Sequence, residues 1–452
     1  MDINFKPRLT ASSLFKSIFT TKKLKEIYTS SVKYSTPVGI DKINSKIFEK
    51  NLTKNIEIIK RKAHNGTYKF SIYREKLISR GANKFPRAIS IPTIRDKVTL
   101  RAIFLILASL YKDETPFLHS IITGVMQEIW QRGFDSVIRL DVKDFYPSIN
   151  HELLLKRLSK RIRKKELISL IKSAITQQTL EKIDNKKVTK AITSIPQGLP
   201  ISNILANIYL EVIDKKYNND SSLAYFRYVD DILIFCNRLN IEHLKQTIIS
   251  DFLAIGLVIH GDDDPGKNYS GDASSRFNYL GYVFDGPLVT VRLESIQKLR
   301  ESIIKTLTSY KYSTRPNNIG LLSWYLNLRI TGCKFNGKNY GWMFYFSQIN
   351  DLGLLASLDH FIAKQLDNFG INRQIIKVKK ITRSFFEITK NSTNTNYIPD
   401  FDSFDIHQKK TILSNTFNID TGQLNNVEIN HQFRKKIFQS IKDLEKDLLR
   451  PS

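Results

Sequence analysis

Two adjacent acids, Asp230 and Asp231, stand between apolar runs in the stretch AYFRYVDDILIF, residues 224–235. The runs read as two strands of a hairpin with the acids at its turn. Burying both carboxylates without a compensating cation is strongly disfavoured. The turn therefore either lies in water or presents its acids to bound metal, and a plain acidic turn accounts for this tetrapeptide taken alone. A third acid, Asp141, ends the short, largely apolar run Val137–Leu140, as a central strand delivering a carboxylate at its tip would. Two divalent ions about 3.5–4 Å apart need several hard oxygen ligands, and acids on neighbouring strands supply them. One such ion would activate an attacking hydroxyl such as a primer 3′ end, while the other would hold a triphosphate and stabilise the leaving pyrophosphate. Asp144, three residues beyond Asp141, reads as a capping or salt-bridging residue.

A further stretch, SIPQGLPISNILAN at residues 194–207, joins a glycine-containing loop to an amphipathic helix. Such a loop lets backbone approach a nucleotide closely, and Gln197 can hydrogen-bond a sugar or base.

The elements that must hold these residues follow from periodicity and punctuation. Short helices are expected over Leu14–Ile27 and Ile43–Lys62, broken at TPVG, residues 36–39. Strand and turn follow from Tyr68 to Ile94, punctuated by Gly81, Pro86 and Pro92. A helix after Pro92 would bury Val98, Ala102, Leu105 and Ile106. His151–Thr179 reads as one helical segment, very basic, with seven Lys and Arg between Lys156 and Lys165. Phe277–Phe284 reads as a strand after the loop Asp262–Gly266. From about Leu293 the pattern is helical, with Leu293, Ile296, Leu299, Ile303 and Leu307 on one face, and Asn391–Asp405 reads as a loop or linker. The class is α+β.

At 452 residues the chain has room for one large unit or two to three smaller domains. Seventy Lys and Arg against 43 Asp and Glu give a net charge of +27. A polyanion that neutralises part of this excess is the natural partner, and nucleic acid is the commonest. A Lys-rich surface reflecting coding bias is the plainer alternative. Only Cys236 and Cys333 are present, far apart, so neither a disulfide framework nor a zinc site is indicated and a reducing cytoplasm fits. The opening MDINFKPRLT has no apolar core behind a basic start, and the longest apolar run, Ala102–Leu110, is far short of the roughly 20 residues that span a bilayer. A cytoplasmic protein with no membrane partner is expected.

In this order and spacing the motifs resemble the reverse transcriptase family. Asp141–Tyr146 matches its motif A, Pro196–Asn207 its motif B and Tyr228–Asp231 its YxDD motif C. Lys76 and Arg87, in KLISRGANKFPRAISIP, resemble the fingers hairpin that grips an incoming triphosphate. Lys267, in GLVIHGDDDPGKNY, resembles the motif D lysine, an acid for the departing pyrophosphate. Asp262, Asp263 and Asp264 beside it read as a solvated turn, with a regulatory metal site as the alternative. Phe277–Gly281 resembles the primer grip, and Gly39–Asp41 a short motif found before the fingers. The likeness covers about residues 37–285. It implies two Mg²⁺ ions, with Mn²⁺ as substitute, held by Asp141, Asp230, Asp231 and the Val142 carbonyl. It also implies Tyr146 as the steric gate against a ribose 2′ hydroxyl, with Lys76, Arg87, Gln197 and Gly198 at the nucleotide. The implied architecture is a right-hand polymerase: an N-terminal helical extension (1–66), fingers (67–136), a palm with an antiparallel sheet (137–285, fingers residues interleaved) and an α-helical C-terminal domain (286–452).

Residues 286–452 carry neither the four-carboxylate cluster of an RNase H nor the zinc-type cysteines of a maturase endonuclease. The chain lacks the NAxxH element of retron enzymes and has Val289-Thr290-Val291 where they have VTG. Its aromatic tail, read as helical from Trp324 to Ile330 and from Tyr340 to Gln348 and again over Leu352–Leu366, is similar to bacterial defence-associated reverse transcriptases of the abortive-infection and unknown-group type. That likeness implies antiphage function with a structured noncoding RNA as template or scaffold, and protein-primed or untemplated synthesis in some members. Lys377, Lys379, Lys380 and Arg383 would grip RNA by stacking and phosphate contacts, although a helical core with a solvated charged face explains any one of them. Implied partners are an RNA template, a DNA primer or product, deoxynucleotides, and a second copy or an accessory defence protein. A mobile-element enzyme of retron or intron type, and a nonenzymatic RNA-binding protein on a polymerase scaffold, are the alternatives.

Overall fold

The computed structural model describes residues 10–35, 37–79, 85–112, 117–131, 133–181, 192–264, 266–313 and 318–448. The chain divides into two compact units, Met1–Glu128 with Arg132–Asp272, and Ile129–Gln131 with Ala273–Ser452.

The first unit opens with α1 (Ala11–Ile18) and α2 (Thr21–Ile27). The sequence pattern reads these as one helix, but Thr20 accepts the Lys23 N–H through its side chain and restarts the chain as a new N-cap. Ile43–Lys62 is likewise divided, into α3 (Ser45–Lys50) and α4 (Leu52–His64). Strands β1 (Tyr73–Ile78) and β2 (Arg87–Ile91) form an antiparallel pair. Helix α5 (Ile94–Leu110) starts just after Pro92 with Thr93 as its cap; Val98, Ala102 and Ile106 are buried as expected, while Leu105 is only partly buried. Helix α6 (Leu118–Gln131) leads to β3 (Ser136–Lys143) and the short α7 (Phe145–Ser148). The basic segment is two helices rather than one, α8 (His151–Ser159) and α9 (Lys165–Ile175). The break falls where Lys160, Arg161, Arg163, Lys164 and Lys165 crowd like charges at helical spacing, which opposes continuation.

Strand β4 (Thr179–Leu180) returns to pair in parallel with β1. Next come α10 (Ser202–Asn218), β5 (Leu223–Tyr228), β6 (Asp231–Cys236), α11 (Ile241–Ala254), β7 (Val258–Ile259) and β8 (Tyr269–Asp272). The principal sheet has the order β5-β6-β3-β7, with β8 also pairing with β3, and every pair in it is antiparallel. Ile138, Leu140, Ile232 and Ile234 from this sheet join α5, α9 and α10 in one continuous core.

The second unit begins with β9 (Phe277–Tyr279), β10 (Tyr282–Asp285) and β11 (Leu288–Val291), a three-stranded antiparallel sheet. The expected single strand over Phe277–Phe284 is thus a hairpin: Leu280 (φ 50°) and Gly281 (φ 85°) form the two-residue positive-φ turn that such hairpins require. Helices α12 (Leu293–Lys311) and α13 (Ile319–Thr331) follow. Between the two aromatic segments of the tail lies another hairpin, β12 (Cys333–Phe335) and β13 (Lys338–Tyr340), turning at Asn336 and Gly337, both at positive φ. Beyond it, α14 (Trp342–Tyr345), α15 (Leu352–Asn368), α16 (Ile381–Lys390), α17 (Ile406–Asn415) and α18 (Asn426–Asp447) complete the unit. The architecture is α+β. No described helix is long and apolar enough to cross a membrane.

Candidate active site

The acids meet through strand register. β3 is central, and its residue Asp141 lies directly opposite Asp231 of β6, which puts the two Cα atoms about 4.5–5.5 Å apart. β5 and β6 close on the pair Tyr228 and Asp231, so Val229 and Asp230 form the turn between them. Asp141, Asp230 and Asp231 are 5%, 7% and 5% exposed. Buried carboxylates this close require cations, and two are present. Arg139, two residues before Asp141 on β3, places a guanidinium nitrogen 2.9 Å from Asp231 Oδ1, and the Lys267 ammonium donates to Asp141 Oδ2. Burial pushes the Asp231 carboxyl above its ordinary value; Arg139 pulls it down, while the Asp141 charge pushes it further up.

Among the described residues, no group of three His, Cys, Asp or Glu side chains forms a ready metal cage; Asp141 and Asp231 instead engage separate cations. The donor set is nevertheless of the kind a hard divalent ion takes, since it consists of carboxylate oxygens. Val142, whose carbonyl is the expected fourth ligand, sits opposite Ile259 of β7.

A buried arginine holds the turn. Arg227 donates to both oxygens of Asp214 on α10, at 2.7 and 2.5 Å, to Asn207 Oδ1 at 3.2 Å and to the Val229 carbonyl at 2.8 Å. Val229 is β-branched and sits at φ 60°, a conformation such residues rarely adopt. The guanidinium thus ties the strained turn to the helix that follows the glycine loop.

Tyr146, on α7, is 5% exposed, and its hydroxyl donates to Asn203 Oδ1 at 2.6 Å. Burial, and then the charge of Asp230, hold that hydroxyl well above the usual phenol range. The backbone joins this helix to the glycine loop: Ile195 N–H donates to the Tyr146 carbonyl at 2.8 Å and Ser194 N–H to the Ile149 carbonyl at 2.9 Å. His151 Nε2 lies 2.5 Å from the Ser194 carbonyl.

The loop in turn docks on β2. Ser90 N–H donates to the Gln197 carbonyl at 2.8 Å, and Arg87 donates to the Gln197 side-chain oxygen. Gly198 sits at φ 94°, and a Cβ there would meet Ile89 Cγ2 at 2.5 Å. Lys76 pairs with Ile89 and Ile78 with Arg87, so side-chain alternation puts Lys76 and Arg87 on one face of β1 and β2. Lys76 is exposed there. The tip of this hairpin, residues 80–84 with Gly81, lies outside the described residues.

In the loop before Lys267, Asp262 pairs with Lys245 and Asp264 lies 2.7 Å from His260 Nδ1. Both carboxyls are held below their ordinary value, chiefly by those hydrogen bonds. This is a salt-bridged turn, matching the plainer reading of the three acids. Gly39 has a packing role: a Cβ there would stand 2.6 Å from the Thr93 Cα. Phe277–Gly281 belongs to the second unit. There, Lys379 and Arg383 lie over the Tyr397 ring at 4.9 and 4.5 Å, while the Lys380 N–H donates to its hydroxyl.

Sequence reasoning passed over Arg139, Asn203, Asn207, Asp214 and Arg227. The available signals were an arginine inside an otherwise apolar strand, two residues from an acid, and a second one just before the Asp-Asp turn.

Residues 79–284 match the family described as Reverse transcriptase (RNA-dependent DNA polymerase). Over those residues the chain is similar to reverse transcriptases. Protein YkfC of Escherichia coli (strain K12) is 25% identical over 225 residues, which are 46% of this chain and 58% of that protein. Group II intron-encoded protein LtrA of Lactococcus lactis subsp. cremoris is 27% identical over 177 residues, 37% of this chain and 28% of LtrA. The chain therefore spans little more than half the length of the first relative and under a third of the second. Among solved structures, apo telomerase from Candida Tropicalis aligns with a TM-score of 0.41 at 15% identity, covering 83% of this chain and 68% of that one. The matched segment includes Asp141, Asp230 and Asp231, strand β2 and the glycine loop, whereas β1 with Lys76 precedes it.

Proposed function

We propose that the protein is an RNA-directed DNA polymerase that works by two-metal nucleotidyl transfer, in antiphage defence with an associated noncoding RNA. The observation that carries the polymerase reading is the cross-strand apposition of Asp141 and Asp231, with Asp230 at the adjoining turn. Asp141, Asp230, Asp231 and the Val142 carbonyl would hold two Mg²⁺ ions, which when bound supply hydroxyl activation and neutralisation of the leaving pyrophosphate. Lys76 and Arg87 would bind the triphosphate from the fingers, with Gln197 and the Gly198 backbone against the nucleotide. Tyr146, with its hydroxyl tied to Asn203, would stand where a ribose 2′ hydroxyl would clash. Lys267, whose ammonium hydrogen-bonds Asp141, would deliver a proton to the departing pyrophosphate. The 3′ oxygen forms its bond to the α-phosphorus as the α–β phosphoanhydride breaks. RNA as template, DNA as primer or product and deoxynucleotides are the substrates. Residues 67–136 would serve as fingers, 137–285 as palm and 286–452 in place of a thumb.

The test is incorporation of labelled deoxynucleotides with Mg²⁺ by the purified protein, with and without a primed RNA template, beside the Asp230→Ala/Asp231→Ala variant. Synthesis on added template marks a conventional enzyme, and synthesis without it marks a bound RNA, self-priming or untemplated extension. Activity of the variant equal to the wild type would sink the metal assignment. The defence role rests on the likeness of the C-terminal region to abortive-infection enzymes; equal phage plating on cells carrying wild type and the double variant would refute it. Similarity to LtrA favours the second reading, a mobile-element enzyme.

A further inference from the structure

The second unit contains a cleft of about 890 Å³ between α12, α13, α18 and the segment after α17. That volume suits an organic ligand rather than a bare ion. Its charged groups are unevenly matched. Arg329 lies 3.3 Å from Asp447, and Lys446 lies 2.8 Å from Asp443, so these four offset one another. Lys298 and Lys305, two turns apart on α12, and Lys436 on α18 also line the cleft, with Glu301 as the remaining acid. Among the described residues those three lysines make no ion pair, which leaves an excess of two positive charges. Lys436 is half-buried, and burial lowers its pKa; its ammonium stands 4.8 Å from the centre of the Phe417 ring. A desolvated ammonium beside an aromatic face gains most from an anion that replaces the lost water.

The rest of the wall is aromatic and polar. Tyr310, Tyr325 and Phe417 face the same cleft from three different segments. In its buried part Ser302 Oγ donates to Asp447 Oδ1 at 2.7 Å, and Arg329 donates to Ser302. Asp447 is 5% exposed, and its Oδ2 lies 3.3 Å from Arg329 Nε in an ion pair without hydrogen-bond geometry, so a lone pair is left for a donor. Three lysines without an ion pair among the described residues, aromatic rings from three segments and a buried carboxylate oxygen match one class of molecule: a phosphate joined through a sugar to a planar base.

We propose that this cleft binds a phosphorylated nucleoside, with its phosphate at Lys298, Lys305 and Lys436 and its base against the aromatic wall. The same chemistry belongs to a free nucleotide and to the 5′-phosphorylated end of a strand. The site lies wholly within the second unit and does not depend on the polymerase reading.

Two photoreactive probes distinguish the sources: 5-iododeoxyuridine monophosphate, and a 5′-phosphorylated oligodeoxynucleotide that begins with 5-iododeoxyuridine. Each is irradiated with the full chain in EDTA, and the attachment points are mapped by mass spectrometry. Attachment at Tyr310, Tyr325 or Phe417 is expected, falling about tenfold in Lys305→Glu, where one phosphate contact becomes repulsive. Lys305 is exposed, so the substitution leaves the core intact. Labelling by the mononucleotide assigns a free nucleotide; labelling by the oligonucleotide alone assigns a strand end. Attachment elsewhere with both probes, or labelling of the three rings that Lys305→Glu and Lys298→Glu leave unchanged, would overturn the proposal. The Asp230→Ala/Asp231→Ala variant is expected to label normally, so an inactive polymerase and an empty cleft are distinguishable.

Discussion

Replacing Arg227 by alanine removes the one side chain that joins Asp214, Asn207 and the Val229 carbonyl. Its side chain is 3% exposed and that of Asp214 is 21% exposed. Breaking a buried ion pair typically costs about 3–5 kcal/mol; partial solvation of the abandoned carboxylate moves the expectation to the low end, about 3 kcal/mol. Losing the bond to Val229 adds about 1 kcal/mol, and relaxation of the positive-φ turn returns part of its strain, of order 1–3 kcal/mol. A net loss near 3 kcal/mol corresponds to roughly a hundredfold rise in local opening. Hydrogen exchange measured by mass spectrometry on peptides spanning 223–236 reads that loss directly, and nucleotide incorporation reads its effect on Asp230 and Asp231. Asp214→Asn is expected to cost less, about 1–2 kcal/mol, and the double variant should show about 2 kcal/mol of coupling. Arg227→Lys keeps the charge but not the forked geometry, so it should restore protection more than activity. Wild-type protection and wild-type incorporation in Arg227→Ala would refute the idea that this residue holds the turn.

Asp96 is buried and accepts from Tyr68, Thr93 and Ser71, yet burial raises its carboxyl above the ordinary 3.8. Because the folded value is raised, this group's contribution to stability is fully present below the ordinary 3.8 and is lost as the pH rises through the higher folded value. The denaturation midpoint of wild type over Asp96→Asn should therefore narrow with rising pH; a widening gap would show that the three donors outweigh burial. Gly198→Ala combines positive φ with the close approach of Ile89, so a cost of about 1–3 kcal/mol and a raised nucleotide KM are expected; an unchanged KM would detach the loop from the nucleotide. Tyr146→Ala should admit ribonucleotides in a competition assay, and unchanged sugar discrimination would move the gate elsewhere.

The acids were legible as carboxylates at the end of one apolar run and at the turn of a hairpin, and the likeness to reverse transcriptase motifs grouped them; that β3 pairs with β6 was not legible. A helix after Pro92 was expected from that proline, while its cap, Thr93, was not singled out. What was not legible depends on long-range partners. Arg139 and Arg227 look like interruptions of strands until the cross-strand and helix neighbours supply their carboxylates. Helix breaks were missed where a cap or a run of like charge interrupts an otherwise periodic pattern, as at Thr20 and Lys160–Lys164. The hairpins at Leu280-Gly281 and Asn336-Gly337 were hidden inside aromatic runs, although Asn-Gly is itself a strong turn signal.

The parallel pairing of β4 with β1 constrains the order in which the chain can assemble. Tyr73 and Arg74 meet Thr179 and Leu180, about a hundred positions later, and the Tyr73 hydroxyl donates to the Ala174 carbonyl. During synthesis β1 and β2 therefore emerge with one edge uncovered, and stay so until α9 and β4 have left the ribosome. An unpaired edge invites the wrong strand, and such distant pairing is slow to form because the intervening chain must first be closed into a loop. Charges along the waiting strand, Arg74, Glu75 and Lys76, discourage premature pairing with another chain. In this view Lys76 protects the nascent strand independently of any role in the folded protein.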